Sequence, residues 1–218
     1  MRFVTFKNDS NYFESFSDFR LILTSREIQS PSIKTKYVTI EGSDGSLDLT
    51  EVFGKPFYKD RTIKLVFSLI EDEVPFWERF SEIQNKLHGK LFDISFNDDD
   101  LWYYQGRVSL DKWSSSNVYG KLTMTITARP YKLCKKLTKR SFSINGTKSI
   151  VLWNDHPMEI VPTFLSSSPM HIVGANGTLD TSEGVDCKSK SITLKEGDNL
   201  FTVTGNGELK VTYQEGSL

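Results

Sequence analysis

The chain has 218 residues and a formal net charge of -1, from 27 basic and 28 acidic side chains. That balance leaves no basic excess to hold a phosphate backbone, so nucleic acid is a poor partner. No run of 18 apolar residues exists to span a membrane. Met1–Asp9 lacks the apolar centre of a signal peptide, so the expectation is a chain made and folded in a cytoplasm. The two cysteines, Cys134 and Cys187, form no CxxC pair and read as ordinary thiols.

In chain order, Phe19–Leu23 reads as a short apolar strand ended by Ser30-Pro31-Ser32. Lys34–Ile40 has strand propensity and partial alternation. Glu41-Gly42-Ser43-Asp44-Gly45-Ser46 is a turn cluster whose two glycines accept positive φ, so a tight reversal fits there. In Arg61–Leu69, residues Ile63, Leu65, Phe67 and Leu69 share one face against Thr62, Lys64 and Ser68 on the other, the pattern of a strand with one wet side.

One helix is expected. Pro75 suits its first turn, Phe76, Phe80, Ile83 and Leu87 recur on one face, Trp77 widens that face, and Gly89 stops it. Three strands follow: Lys90–Phe96, Trp102–Leu110 and Tyr119–Ala128. The links between them, Asn97–Asp100 and Ser114–Asn117, are built from residues that bond their own backbone. Arg129-Pro130-Tyr131 ends this unit. Of the 27 aromatic residues, 22 precede Cys134, so an aromatic-rich unit is followed by a smaller, glycine-rich one.

The second unit reads as all strand. Ser141–Ile144 and Lys148–Trp153 flank Asn145-Gly146, a hairpin signal. Met158–Leu165 carries Pro162, which favours an edge. His171–Val173, Ser191–Leu194, Asn199–Val203 and Glu208–Tyr213 complete the set. Glu196-Gly197-Asp198 and Gly205-Asn206-Gly207 are read as turns. Short strands at this spacing indicate a sandwich or jelly roll.

The search for chemistry returns no site. Asp98-Asp99-Asp100 lacks the spaced oxygens calcium needs and reads as a solvated turn. Asp44, Asp48 and Glu51 have no carboxylate placed opposite them, as a glycosidase would need. His88, His156 and His171 show no i, i+4 ligand pairing, and His88 is a candidate cation at the helix C-terminus. No Gly-x-Ser-x-Gly elbow or phosphate loop occurs. Asn145-Gly146-Thr147 and Asn176-Gly177-Thr178 read as chance glycosylation patterns. Trp102, Tyr104 and Trp153 could form a sugar-stacking platform, or fill the core. From the residues alone, the chain is a two-domain β-rich protein with one helix and no catalytic, cofactor or metal site.

Several motifs, in order, resemble the siphophage distal tail protein (Dit) family. Phe16-Ser17-Asp18-Phe19 is similar to its Phe-x-Asp-hydrophobic opening. Gly42-Ser43-Asp44-Gly45-Ser46-Leu47-Asp48 resembles its Gly-x-(Asp/Asn)-Gly-x-(Leu/Ile)-Asp motif, and Tyr58-Lys59-Asp60-Arg61 its Tyr-x-(Asp/Asn)-Arg signature. Leu87-His88-Gly89-Lys90, Tyr103-Tyr104-x-Gly106-Arg107 and the stretch from Glu196 to Gly216 match in position and type, the last as a closing hairpin.

The resemblance implies a mainly β fold in two domains. Residues 1–133 would form a β-sandwich or split-barrel-like domain with one amphipathic helix and an extended hairpin arm. Residues 134–218 would form a small galectin-like β-sandwich, with no room for a large inserted module. It further implies a non-enzymatic part of a phage or prophage tail tip (baseplate), a virion component assembled in the bacterial cytoplasm. Six copies would form a ring between the tail-tube protein and the tail-tip hub protein, a platform for receptor-binding proteins, with no cofactor, nucleic acid or membrane. Candidate ring contacts are Gly42, Asp44, Gly45, Asp48, Lys55, Tyr58 and Arg61. The alternative is a lectin-like, carbohydrate-binding adhesion module.

Overall fold

A computed structural model describes residues 2–70, 74–116 and 119–218, the side chain of Ile70 excepted. The chain divides into two compact units, Met1–Pro130 and Tyr131–Leu218.

The first unit contains β1 (Val4–Lys7), β2 (Tyr12–Glu14), β3 (Leu21–Ile28), β4 (Tyr37–Thr39), β5 (Ser46–Asp48), β6 (Arg61–Ile70), α1 (Phe76–Leu87), β7 (Leu91–Phe96), β8 (Trp102–Ser115) and β9 (Tyr119–Ala128). Seven strands form one antiparallel sheet in the order β2-β1-β7-β8-β9-β6-β3. The two ends of this order are consecutive in sequence, and Ser15–Leu21 stitches them together. The Ser15 amide donates to the Val4 carbonyl at 2.8 Å, and the Leu21 amide donates to the Ser15 carbonyl at 2.8 Å. The sheet is thereby a nearly closed barrel, which leaves few unpaired edges. Asp18 tightens the same turn by accepting from the Glu14 amide at 2.6 Å.

Alternation in β6 is as the sequence predicts: Ile63, Leu65, Phe67 and Leu69 are buried. They meet Phe6, Phe19, Phe92, Ile94, Val108, Met124 and Ile126 in one core. Helix α1 covers it with Ile83 and Leu87, both fully buried. Phe76 and Phe80 are half-buried and pack on Trp113, with Phe80 stacked at 5.0 Å between ring centroids. Trp77 does not widen the apolar face. It is 69 % exposed, because one residue past Phe76 lies about 100° further round the helix. Pro75 takes the N-cap position with ψ 142°, just ahead of the first helical turn.

Other expectations need correction here. β1 and β2 precede the strand taken as first, and β3 starts at Leu21 because Phe19 lies in the turn that closes the barrel. β8 runs on through Ser114 and Ser115, which were expected to turn; Asn117 lies outside the described residues. The strand continues because a bulge between Leu110 and Lys112 restores its pairing with β9.

The second unit contains β10 (Lys132–Cys134), β11 (Thr138–Asn154), β12 (Thr163–Ser166), β13 (Met170–Gly174), β14 (Gly177–Thr181), β15 (Asp186–Cys187), β16 (Gly197–Tyr213) and β17 (Gly216–Ser217). Its spine is an antiparallel ribbon of β11 and β16, 17 residues each, paired along their whole length. Two expected turns are therefore absent. Asn145-Gly146 and Gly205-Asn206-Gly207 face each other in mid-ladder, Asn145 opposite Asn206 and Gly146 opposite Gly205. An Asn-Gly pair reverses the chain only if its own flanks pair with each other; here each flank pairs with the other long strand.

The glycines let the ribbon change partners on its free edge. Leu209–Thr212 of β16 pairs with β12, and Thr202–Thr204 pairs with β13. Both halves of the ribbon send side chains into one core: Ile144, Ile150, Leu152, Phe201, Val203, Leu209 and Val211. Ser191–Leu194 is not a strand; only Leu194 bridges, to Ile160. A tight hairpin of this unit is β13–β14, closed around Ala175-Asn176. Among the described residues no helix is long and apolar enough to cross a membrane.

Candidate functional site

Between β3 and β6 the chain leaves the barrel and returns. Its neck is closed by backbone: the Lys59 amide donates to the Ser32 carbonyl at 2.8 Å, the Lys34 amide to the Phe57 carbonyl at 2.7 Å, and Ile33 bridges Tyr58. Beyond the neck, β4 and β5 form a two-stranded sheet of their own, with Val38 opposite Leu47 and Tyr37 opposite Asp48. The turn between them has Gly42 at φ 84° and Gly45 at φ 77°, as the Gly/Asp/Ser cluster predicts. The return limb is steadied by Asp48, which accepts from the Thr50 amide at 2.8 Å. Hydrogen bonds from the Thr50 hydroxyl and then its amide hold the Asp48 carboxyl below the usual range.

This arm is exposed on both faces. Ile33, Tyr37, Val38, Ile40, Leu47, Val52, Phe53 and Phe57 are all open to solvent, Phe53 at 81 %. A lone two-stranded hairpin is marginally stable in water, and contiguous exposed apolar side chains mark interaction surfaces.

The structure separates the candidate contacts into two groups. Gly42, Asp44, Gly45 and Asp48 are exposed on the arm. Lys55 and Tyr58 are half-buried, with the Lys55 ammonium 5.9 Å from the Phe57 ring. Arg61 is in the interior, at 5 % exposure. Its guanidinium donates to the Pro130 carbonyl and lies 5.4 Å over the Tyr104 ring. Burial pulls the Arg61 guanidinium down from its ordinary value, and Tyr104 opposes that pull. Arg61 thus fixes the point where the arm re-enters the barrel. Sequence reasoning missed the exposed row of Val52, Phe53 and Phe57, although three apolar residues among turn formers were the available signal.

The remaining motif residues also hold backbone. His88 Nδ1 accepts from the Leu110 amide at 3.0 Å, beside the β8 bulge. It acts as an acceptor rather than as a cation on the helix dipole. Gly106 admits no side chain, since a Cβ there would come within 2.6 Å of Ile126. Asp98 accepts both terminal nitrogens of Arg26, at 2.6 and 3.1 Å. Arg26, and more weakly Arg2, hold its carboxyl below the usual range. Among the described residues no group of three His, Cys, Asp or Glu could hold a metal ion.

The aromatic candidates divide too. Tyr104 is buried against Arg61 and Phe96 and offers no platform. Trp153 is half-exposed on the outer face of the ribbon with Val151 and Leu200, and its indole nitrogen donates to Asp155. Tyr213 anchors that strand by donating to the Trp153 carbonyl at 2.7 Å.

The chain thus combines a near-closed β barrel, helix α1 and a hairpin arm with a β unit built on one long ribbon. The Dit protein (gp 19.1) of SPP1 has this fold. The two superpose with a TM-score of 0.72 over 100 % of both chains at 14 % identity. That protein is described as a paradigm of the hub adsorption apparatus in phages infecting Gram-positive bacteria. Two gene transfer agent structures, the tail of an empty particle and a native virion, match 57 % of the chain with TM-scores of 0.33 and 0.32, at 14 % and 15 % identity. They cover 89 % and 94 % of those chains. No protein-family profile and no curated protein matches the sequence.

Proposed function

We propose that the chain is a structural, non-enzymatic component of a siphophage or prophage tail tip. In this reading six copies close into a ring between the tail tube and the tail-tip hub, and the second unit is a docking platform for receptor-binding proteins. The protein would act in the virion. The observation that carries the reading is the arm, a two-stranded sheet with an apolar row that its own barrel does not cover. Full-length similarity to SPP1 Dit supports it, as does the resemblance of the Gly42–Asp48 and Tyr58–Arg61 motifs. Head-to-tail contacts of one arm on the next subunit close into a ring when the rotation divides the circle.

Because Ser32 and Lys59 already meet across the neck, residues 33–58 can be replaced by a short Gly-Ser turn. The shortened protein should melt as the full chain does and stay a monomer under conditions where the full chain assembles. Assembly without the arm would end this reading.

A second reading, a carbohydrate-binding module, is favoured by one observation: the half-exposed Trp153 beside Asp155. A glycan array read with the Trp153→Ala variant separates the two, since sugar binding lost in that variant would support the lectin.

A further inference from the structure

The arm and the start of the second unit carry opposite charge. From Ile40 to Glu51 the arm holds Glu41, Asp44, Asp48 and Glu51, all exposed, with no basic residue among them. From Tyr131 to Arg140 the chain holds Lys132, Lys135, Lys136, Lys139 and Arg140 with no acid. Lys135, Lys136, Lys139 and Arg140 are exposed, and among the described residues the first three form no ion pair. Lys136, Lys139 and Arg140 line an open groove that also contains Leu137, itself 42 % exposed, and Glu215, and Lys135 is next to Lys136 in the chain. Glu215, the acid of the groove, is engaged locally, since Thr138 donates to it at 2.6 Å and His156 lies 4.0 Å away.

We infer that the acidic arm tip of one copy docks on the basic groove at Lys135–Arg140 of a second copy of this chain. The inference rests on the ring reading above and names its contact. Charge selects the partner: the tip carries only acids and the groove wall mainly bases, so two tips or two grooves repel one another. Apolar contact adds to it, with Ile40 and Leu47 of the arm facing Leu137 of the groove. A contact between two different patches can repeat head to tail from copy to copy, and so can close a ring.

Two charge-reversed full-length proteins test this. One carries Glu41→Lys, Asp44→Lys and Glu51→Lys, sparing Asp48 because it holds Thr50. The other carries Lys135→Glu, Lys136→Glu and Lys139→Glu. Melting curves establish that both are folded. Each alone should associate at least about tenfold more weakly than the unaltered chain, whose own association should weaken with added salt. Mixed in equal amounts they should reassemble, because each reversed arm then meets a groove of opposite charge. Normal assembly of either variant alone, or no recovery on mixing, overturns the inference and leaves the ring reading standing. An unaltered chain that stays monomeric at every concentration removes the ring reading and this contact with it. A groove-reversed protein that assembles normally but loses retention of a DNA oligonucleotide would give the groove to nucleic acid, and overturns the inference too.

Discussion

Gly146 lies directly opposite Gly205 in the ladder between β11 and β16, with backbone φ of 74° and 152°. A methyl group at Gly146 would meet nothing within 4 Å, whereas one at Gly205 would come within 2.7 Å of Met170 and 3.1 Å of the Pro169 carbonyl. Gly146→Ala should therefore cost only conformational strain, about 1–2 kcal/mol. Gly205→Ala adds a clash with the Met170 side chain and a tight approach to the Pro169 carbonyl, and should cost more. Thermal melts of the isolated second unit check the order; equal losses would mean that the ribbon is not pinned at Gly205.

The helix face makes a graded prediction. Ile83→Ala and Leu87→Ala remove fully buried side chains and should each cost about 2–5 kcal/mol. Phe80 is half-buried and stacks on Trp113, so Phe80→Ala should cost less, with about 0.5–1.5 kcal/mol of it from the ring pair. All three should weaken the first unit and any assembly that depends on it. Denaturant melts of the three variants measure the gradation.

Residues 131–218 should fold alone. β10 and β17 pair with each other, with Leu133 opposite Gly216, so the fragment must begin at Tyr131 rather than later. It lacks the arm and should be a monomer. Circular dichroism and light scattering test both statements, and an oligomer would place assembly in this half.

Asp98 gives a pH dependence. Its carboxyl is held below the usual range chiefly by Arg26, so its folded pKa lies under the unfolded one. The contribution is complete above the unfolded value of about 3.9 and is lost as pH falls through the folded value. The pair is partly exposed, so Asp98→Asn should cost about 1 kcal/mol or less at neutral pH. The melting difference between the two proteins should be constant from pH 7 to pH 5 and shrink once the pH falls below the unfolded value of about 3.9. A difference that persisted at acid pH would assign the effect to packing.

What could be read in advance follows from where the information is local. β6 was legible because Ile63, Leu65, Phe67 and Leu69 alternate against polar neighbours. Helix α1 was legible because its apolar residues repeat at helical spacing, and the Gly42–Gly45 turn because positive φ needs glycine. The 17-residue ribbon was not legible. Gly146 and Gly205 signal a turn locally, and only pairing across about 60 positions shows that they let a strand change partners. β1 and β2 were missed because they are short, and β1 takes its other partner, β7, from far along the chain. In the candidate site, the arm's tip and turn were legible. The interior position of Arg61 was not, because its partners Pro130 and Tyr104 are distant in sequence.

The mass of the full chain in solution, by light scattering over a range of concentrations and with the tail-tip hub protein added, tests the central claim most directly. The account predicts a particle of six copies with six-fold symmetry in electron micrographs, lost when residues 33–58 are replaced. A chain that remains a monomer at every concentration, with the hub protein present, would contradict it.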